Sequence, residues 1–180
     1  MFLVVQSSEP VYDIISSKKD RLLLSIPPDS IQCGYSGTFY SLSDLRQRFF
    51  YAKAAASLAS YRKQTFYSFD EMGFVRILFS VSNHAVLEQY IEEKLGRLTE
   101  YDHTHNTDYF HTLYQYLLYN GSVQKIADEL FCHRNTINYR IRILKEEFGI
   151  DLENGMEKFE LMAAFLITEY LPLLKENGNR

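Results

Sequence analysis

Along the first forty residues the apolar positions come in short runs, at 2–5, 22–26 and 31–35, which is the length of strands rather than helices. Between the first two, Ser8, Pro10, Val11, Ile14 and Ile15 have the spacing of a short capped helix. Pro27-Pro28-Asp29-Ser30 is turn chemistry and predicts a hairpin joining the second and third strands. From Ser41 the period changes. Leu42, Leu45, Phe49, Ala52, Ala56 and Ala59 recur every three or four residues, which predicts a helix to Tyr61 with these residues on its buried face. Ser41 with Asp44 three positions on resembles a capping box, Asp standing where Glu is usual. Residues 64–69 read as a fourth strand, closing a small α/β domain near residue 82.

Beyond that point the pattern is helical. Val86, Leu87, Tyr90, Ile91, Leu95 and Leu98 form one amphipathic stripe over 84–98, and the polar run 99–108 reads as a solvated linker and domain boundary. Four more helices are predicted over 108–119, 122–131, 134–148 and 155–174, broken at Asn120-Gly121, Cys132-His133 and 149–154. The expected fold class is therefore α+β: an α/β domain over 1–82, a connecting helix and linker over 83–106, and an all-α domain over 107–180.

Composition narrows the function. A chain of 180 residues has room for one ordinary domain or two small ones, and 46% apolar with 23% charged residues belongs to a folded protein. Lys and Arg number 19 against 23 Asp and Glu, a net charge of −4, so any contact with nucleic acid has to come from a local patch. The longest apolar stretch, 161–167, falls far short of the ~18 to 20 residues that cross a bilayer, so no membrane association is expected. The opening M-F-L-V-V-Q has no basic leader, which makes a cytoplasmic location the expectation. Cys33 and Cys132 have no companions at metal spacing and read as reduced, buried thiols; neither a metal nor a cofactor is expected.

The segment 122–145, S-V-Q-K-I-A-D-E-L-F-C-H-R-N-T-I-N-Y-R-I-R-I-L-K, is two helices joined by a very short turn. Asn120-Gly121 tolerates left-handed backbone and Ser122 can cap the first helix. Val123, Ile126, Ala127 and Leu130 face inward, Ala127 being small enough to let a second helix cross closely. In that second helix Ile137, Ile141, Leu144 and Phe148 form the buried stripe, and Arg134, Lys145, Asn138, Arg142 and Asn135 share an adjoining arc with Tyr139 at its far edge. From Phe131 to Lys145 stand four cations and no carboxylate. Guanidinium and carboxamide groups are the chemistry that reads base edges, and a helix-turn-helix presents them from the start of its second helix. The competing reading is an ordinary α-hairpin with a basic solvated face.

The phrases Y-N-G-S-V-Q-K-I-A-D-E-L-F-C-H-R-N-T-I-N-Y-R-I and F-G-I-D-L resemble the C-terminal helix-turn-helix of the bacterial purine-catabolism and carbohydrate-diacid regulator family, and E-K-F-E-L-M-A-A-F-L is similar to that family's final packing helix. Upstream, G-Y-S-G-T-F-Y-S-L-S-D-L-R-Q-R-F-F-Y-A-K-A-A-A-S-L-A more loosely resembles its degenerate cyclase-like domain. The resemblance implies a sequence-specific transcriptional regulator. His133, Arg134 and Asn135 would enter the major groove, Asn138, Tyr139 and Arg142 would follow along it, and Thr136 and Ser122 would bond phosphates. It also implies double-stranded operator DNA as partner, a homodimer on palindromic sites, and an effector sensed by a domain outside this chain, which would make the chain a fragment or a short member. The alternative is a helical dimerisation module that does not touch DNA.

Other constellations carry less. Gly34-Tyr35-Ser36-Gly37-Thr38 lacks the second glycine of a hydrolase elbow, and no glycine-glycine-acid-acid run of an active cyclase occurs, so no enzyme activity is expected. His103 and His105, with Asp102, Asp108 and His111 nearby, are read as linker rather than as a metal site. Arg46, Arg48, Lys53, Arg62 and Lys63 read as a solvated face, with DNA flank contact second. Tyr109, Tyr114, Tyr116 and Tyr119 are candidates for self-association.

Overall fold

The computed structural model describes residues 32–178, which form two compact units: the residues up to Ser82 with those from Pro172 onward, and Asn83–Leu171. The expected strands at 2–5 and 22–26, the short helix between them and the hairpin turn at 27–30 lie outside the described residues.

In the first unit β1 (Cys33–Tyr35) and β2 (Phe66–Ser68) pair in parallel, with Cys33 opposite Phe66 and Tyr35 opposite Ser68. Parallel strands need a long crossover, and α1 (Leu45–Tyr61) supplies it. A 3-10 turn at Leu42–Asp44 leads into α1, and the Ser43 N–H donates to Ser41 Oγ at 3.3 Å. The capping box expected between Ser41 and Asp44 does not form, because Asp44 makes no side-chain cap bond. The corresponding device stands after β2, where Glu71 accepts from the Ser68 N–H at 3.3 Å. A second 3-10 turn (Phe69–Met72) and α2 (Val75–Phe79) follow.

The buried face of α1 keeps Ala59 of the stripe its periodicity predicts, and Ala52 and Ala56 of that stripe lie against Gly34, but the stripe's large residues fall outside it. Ala54, Ala55, Leu58 and Ala59 are buried, whereas Leu42 and Phe49 are exposed. Gly34 gives the reason: a Cβ there would stand 2.0 Å from the Ala52 carbonyl oxygen and 2.3 Å from the Ala56 nitrogen. The helix backbone lies directly on β1, and only alanines fit the contact. Alanine carries a weak apolar signal, so the larger side chains misplace the stripe.

In the second unit α3 (His84–Ile91) continues through a π-turn (Glu92–Gly96) into α4 (Arg97–His105). The run 99–108, expected as a linker, is thus mostly helix. Its polar residues have structural work: Asp102 Oδ1 accepts from Thr107 Oγ1 at 2.6 Å and from the Tyr109 N–H at 3.0 Å, and Oδ2 accepts from the Phe110 N–H at 2.7 Å. One carboxylate so caps the next helix, α5 (Tyr109–Leu118). His105 Nδ1 donates to the Tyr101 carbonyl at 3.1 Å and its ring stacks on Tyr101.

There follow α6 (Val123–Glu129), α7 (Arg134–Glu146) and α8 (Gly155–Gly178). Leu95, Leu98, Tyr109, Leu113, Leu144, Leu152, Leu161, Ala164 and Phe165 form the main core of this unit. A smaller cluster of Ile126, Ala127 and Ile137 closes the contact between α6 and α7. Among the described residues no helix is long and apolar enough to cross a membrane.

Candidate nucleic-acid interface

Asn120 (φ 47°) and Gly121 (φ 78°) are both left-handed, and the Gly121 N–H donates to the Tyr116 carbonyl at 2.9 Å, ending α5 as the Asn-Gly pair predicts. Ser122 then occupies the N-cap of α6, but its side chain makes no cap bond. It fills the position through its backbone alone, its carbonyl accepting from the Ile126 N–H at 3.0 Å.

The turn between α6 and α7 is tight. The Cys132 N–H returns to the Ala127 carbonyl at 3.0 Å, and Phe131 takes a left-handed conformation at φ 50°. His133 is the N-cap of α7, with Nδ1 accepting from the Asn135 N–H at 3.2 Å. Its imidazole is therefore held at the helix start by a bond to the backbone. Both cysteines are free and only half-buried.

Ile137 and Leu144 are fully buried, and Ile141 packs against both apolar clusters. The adjoining side carries Arg134, Asn135, Asn138, Arg142 and Lys145, all exposed, with Thr136 exposed beyond the edge of that arc. A helix of ~10–12 Å diameter with such a face matches a major groove of ~12 Å width.

The four cations of this segment have different environments. Arg140 is turned inward: its Nη1 donates to Thr112 Oγ1 at 2.9 Å and to the Asp108 carbonyl and Oδ2 at 3.3 Å each. Arg142 lies 5.4 Å from the Tyr139 ring centroid, with its Nε 3.9 Å from Glu146 Oε2. Lys145 donates to Glu153 Oε1 at 3.2 Å. Arg134 engages none of the described residues, so its guanidinium is the one of the four available without breaking a bond.

Tyr139 is half-exposed, and its hydroxyl lies beside that of Tyr109. Burial, then the neighbouring Tyr139 and Tyr101, push the Tyr109 hydroxyl above the ordinary tyrosine range. Tyr119, one of the candidate self-association residues, donates its hydroxyl to Glu129 at 3.1 Å, and that bond raises its pKa. Phe131 stands 96% exposed on a left-handed backbone, a placement no local pattern in the sequence announces.

Two helices joined across a tight turn, the second with one anchored side and one basic, carboxamide-bearing side, form a helix-turn-helix. Residues 109–167 match the family model of the PucR C-terminal helix-turn-helix domain. The chain is 31% identical over 107 residues to the proline-responsive transcriptional activator PutR of Bacillus subtilis (strain 168), a match covering 59% of this chain and 26% of that protein. It is 25% identical over 137 residues to the DNA-binding transcriptional activator AdeR of the same organism, covering 74% of this chain and 32% of the relative. The chain thus spans about a quarter to a third of the length of the curated relatives it matches. No solved structure is a significant match.

Proposed function

We propose that this chain is the DNA-reading part of a sequence-specific transcriptional regulator. The observation that carries the reading is α7 itself, whose Ile137, Ile141 and Leu144 fix one side while the free Arg134 and the carboxamides of Asn135 and Asn138 stand exposed on the other. In this reading Arg134, Asn135 and Asn138 face base edges, His133 holds the helix start, and Arg142 and Tyr139 lie further along the groove. Ser122 and Thr136 bond flanking phosphates, the hydroxyl of Ser122 being unspent on capping. A pair of copies reads two half-sites about one helical turn, ~34 Å, apart, because one such motif contacts only a few base pairs. The parallel β1-α1-β2 unit is read as a cyclase-like platform for packing or pairing. The effector is sensed outside the helix-turn-helix.

Selection of bound fragments from random duplex DNA tests the reading. A preferred sequence is expected, with log K falling linearly with log salt as counterions return to the phosphates. A flat salt response, or no enriched sequence, rejects it in favour of a helical pairing module. Sedimentation at micromolar concentration with and without the selected duplex tests the pairing; a single copy in both states rejects that part.

A further inference from the structure

Phe131 is the most conspicuous exposed apolar side chain of the helix-turn-helix. It is 96% exposed, so its phenyl ring is all but unpacked among the described residues, and its backbone sits at φ 50°. A bulky side chain in the left-handed region is an outlier, and glycine or asparagine would close the same turn without strain. Neither folding nor solubility accounts for phenylalanine here. Scattered exposed apolar residues are ordinary on surfaces. An exposed aromatic on a backbone that disfavours it, three residues before Arg134, is a different matter, since unrelieved local cost of this kind concentrates at functional sites.

Chain geometry limits where the ring can act. Three Cα–Cα steps span at most ~11 Å, so Phe131 lies within about three base-pair rises of Arg134 along a duplex. A phenyl ring offers no donor or acceptor. Of the groups presented in the major groove, the thymine C5-methyl is the one with which it can make a base-specific apolar contact. We propose that Phe131 is a specificity-determining residue that packs on a thymine methyl within about three base pairs of the base read by Arg134. This rests on the DNA-reading function proposed above.

The experiment replaces each thymine of the selected duplex in turn by deoxyuridine, which removes only the methyl group. For the unmodified protein, affinity is expected to fall about fourfold at one thymine, the cost of returning one methyl to water. That thymine should lie within about three base pairs of the position whose preference is lost in Arg134→Ala. In Phe131→Ala the thymine and deoxyuridine duplexes should bind equally well, while the preference set by Arg134 persists and the melting temperature is not lowered. Three results overturn the inference: no thymine in that window is sensitive to the replacement, the discrimination survives in Phe131→Ala, or Phe131→Ala weakens all sequences alike as a contact to deoxyribose would. Failure of the underlying reading is distinct, because then no preferred duplex is obtained at all.

Discussion

Arg140 Nη1 donates to Thr112 Oγ1 at 2.9 Å, and Thr112 is wholly buried. The same hydroxyl donates to the Asp108 carbonyl at 2.7 Å, so the first turn of α5 and the middle of α7 share one polar junction. That junction sets how α7 is held against the rest of its unit, and it uses a cation that charge counting alone would assign to DNA.

Arg140→Ala is expected to lower stability by about 1–3 kcal/mol, mainly through the buried Thr112 hydroxyl, since the Asp108 carboxylate is open to solvent screening. In a urea-unfolding cycle with Thr112→Val, the two losses should be less than additive by at least ~0.5 kcal/mol. Strict additivity would show that the bond contributes nothing.

Arg134→Ala should cost about 1–3 kcal/mol on the preferred duplex and flatten preference at one base pair, because a planar guanidinium pairs with both guanine acceptors. Thr136→Ala should weaken all sequences alike. Neither residue touches the buried stripe, so both variants should melt with the parent protein. If Thr136→Ala relaxes specificity while Arg134→Ala leaves it intact, the orientation of α7 in the groove is wrong.

Gly34→Ala places a methyl within 2.0–2.3 Å of α1 backbone atoms, which cannot swing aside as a side-chain tip could. A loss of about 1–3 kcal/mol or more is expected, read as an earlier urea transition by circular dichroism. An unchanged midpoint would contradict the close approach of α1 to β1.

The raised pKa of Tyr109 has a definite sign. Its neutral form is favoured in the folded state, so the stability this group contributes is complete below the unfolded tyrosine value, ~10, and is lost as pH rises through the higher folded value. Tyr109→Phe should change stability at neutral pH by no more than about 1.5 kcal/mol, since it removes only a buried hydroxyl. It should also make the alkaline fall in the urea midpoint shallower. A variant with the parent's alkaline slope would refute the assignment.

How legible these features were depended on which residues carried them. The last four helices were readable to within a few residues because Leu and Ile mark their period and Asn120-Gly121 supplies an unmistakable stop. The face of α1 was legible only in part: Ala52, Ala56 and Ala59 were placed on it, whereas the larger Leu42 and Phe49 are exposed. The stretch 99–108 read as linker because Asp102 and Thr107 are polar, and sequence does not reveal that a carboxylate will cap the helix seven residues ahead. Likewise the partners of Arg140 stand 28 and 32 residues away, beyond any local pattern.

The π-turn at Glu92–Gly96 governs angular phase. Leu87 and Tyr90 begin a stripe that Leu95, Leu98 and Tyr101 continue, with a five-residue step from Tyr90 to Leu95. In an uninterrupted α-helix a step of five swings a side chain about 140° off the line, and the wider turn absorbs that excess. Tightening this turn into regular α-helix with no residue removed would rotate the later half by about 100°. Asp102 would then point away from the Tyr109 and Phe110 amides. Rotation, more than length, is what this helix delivers, and a single looped-out residue sets the azimuth at which the next helix is received.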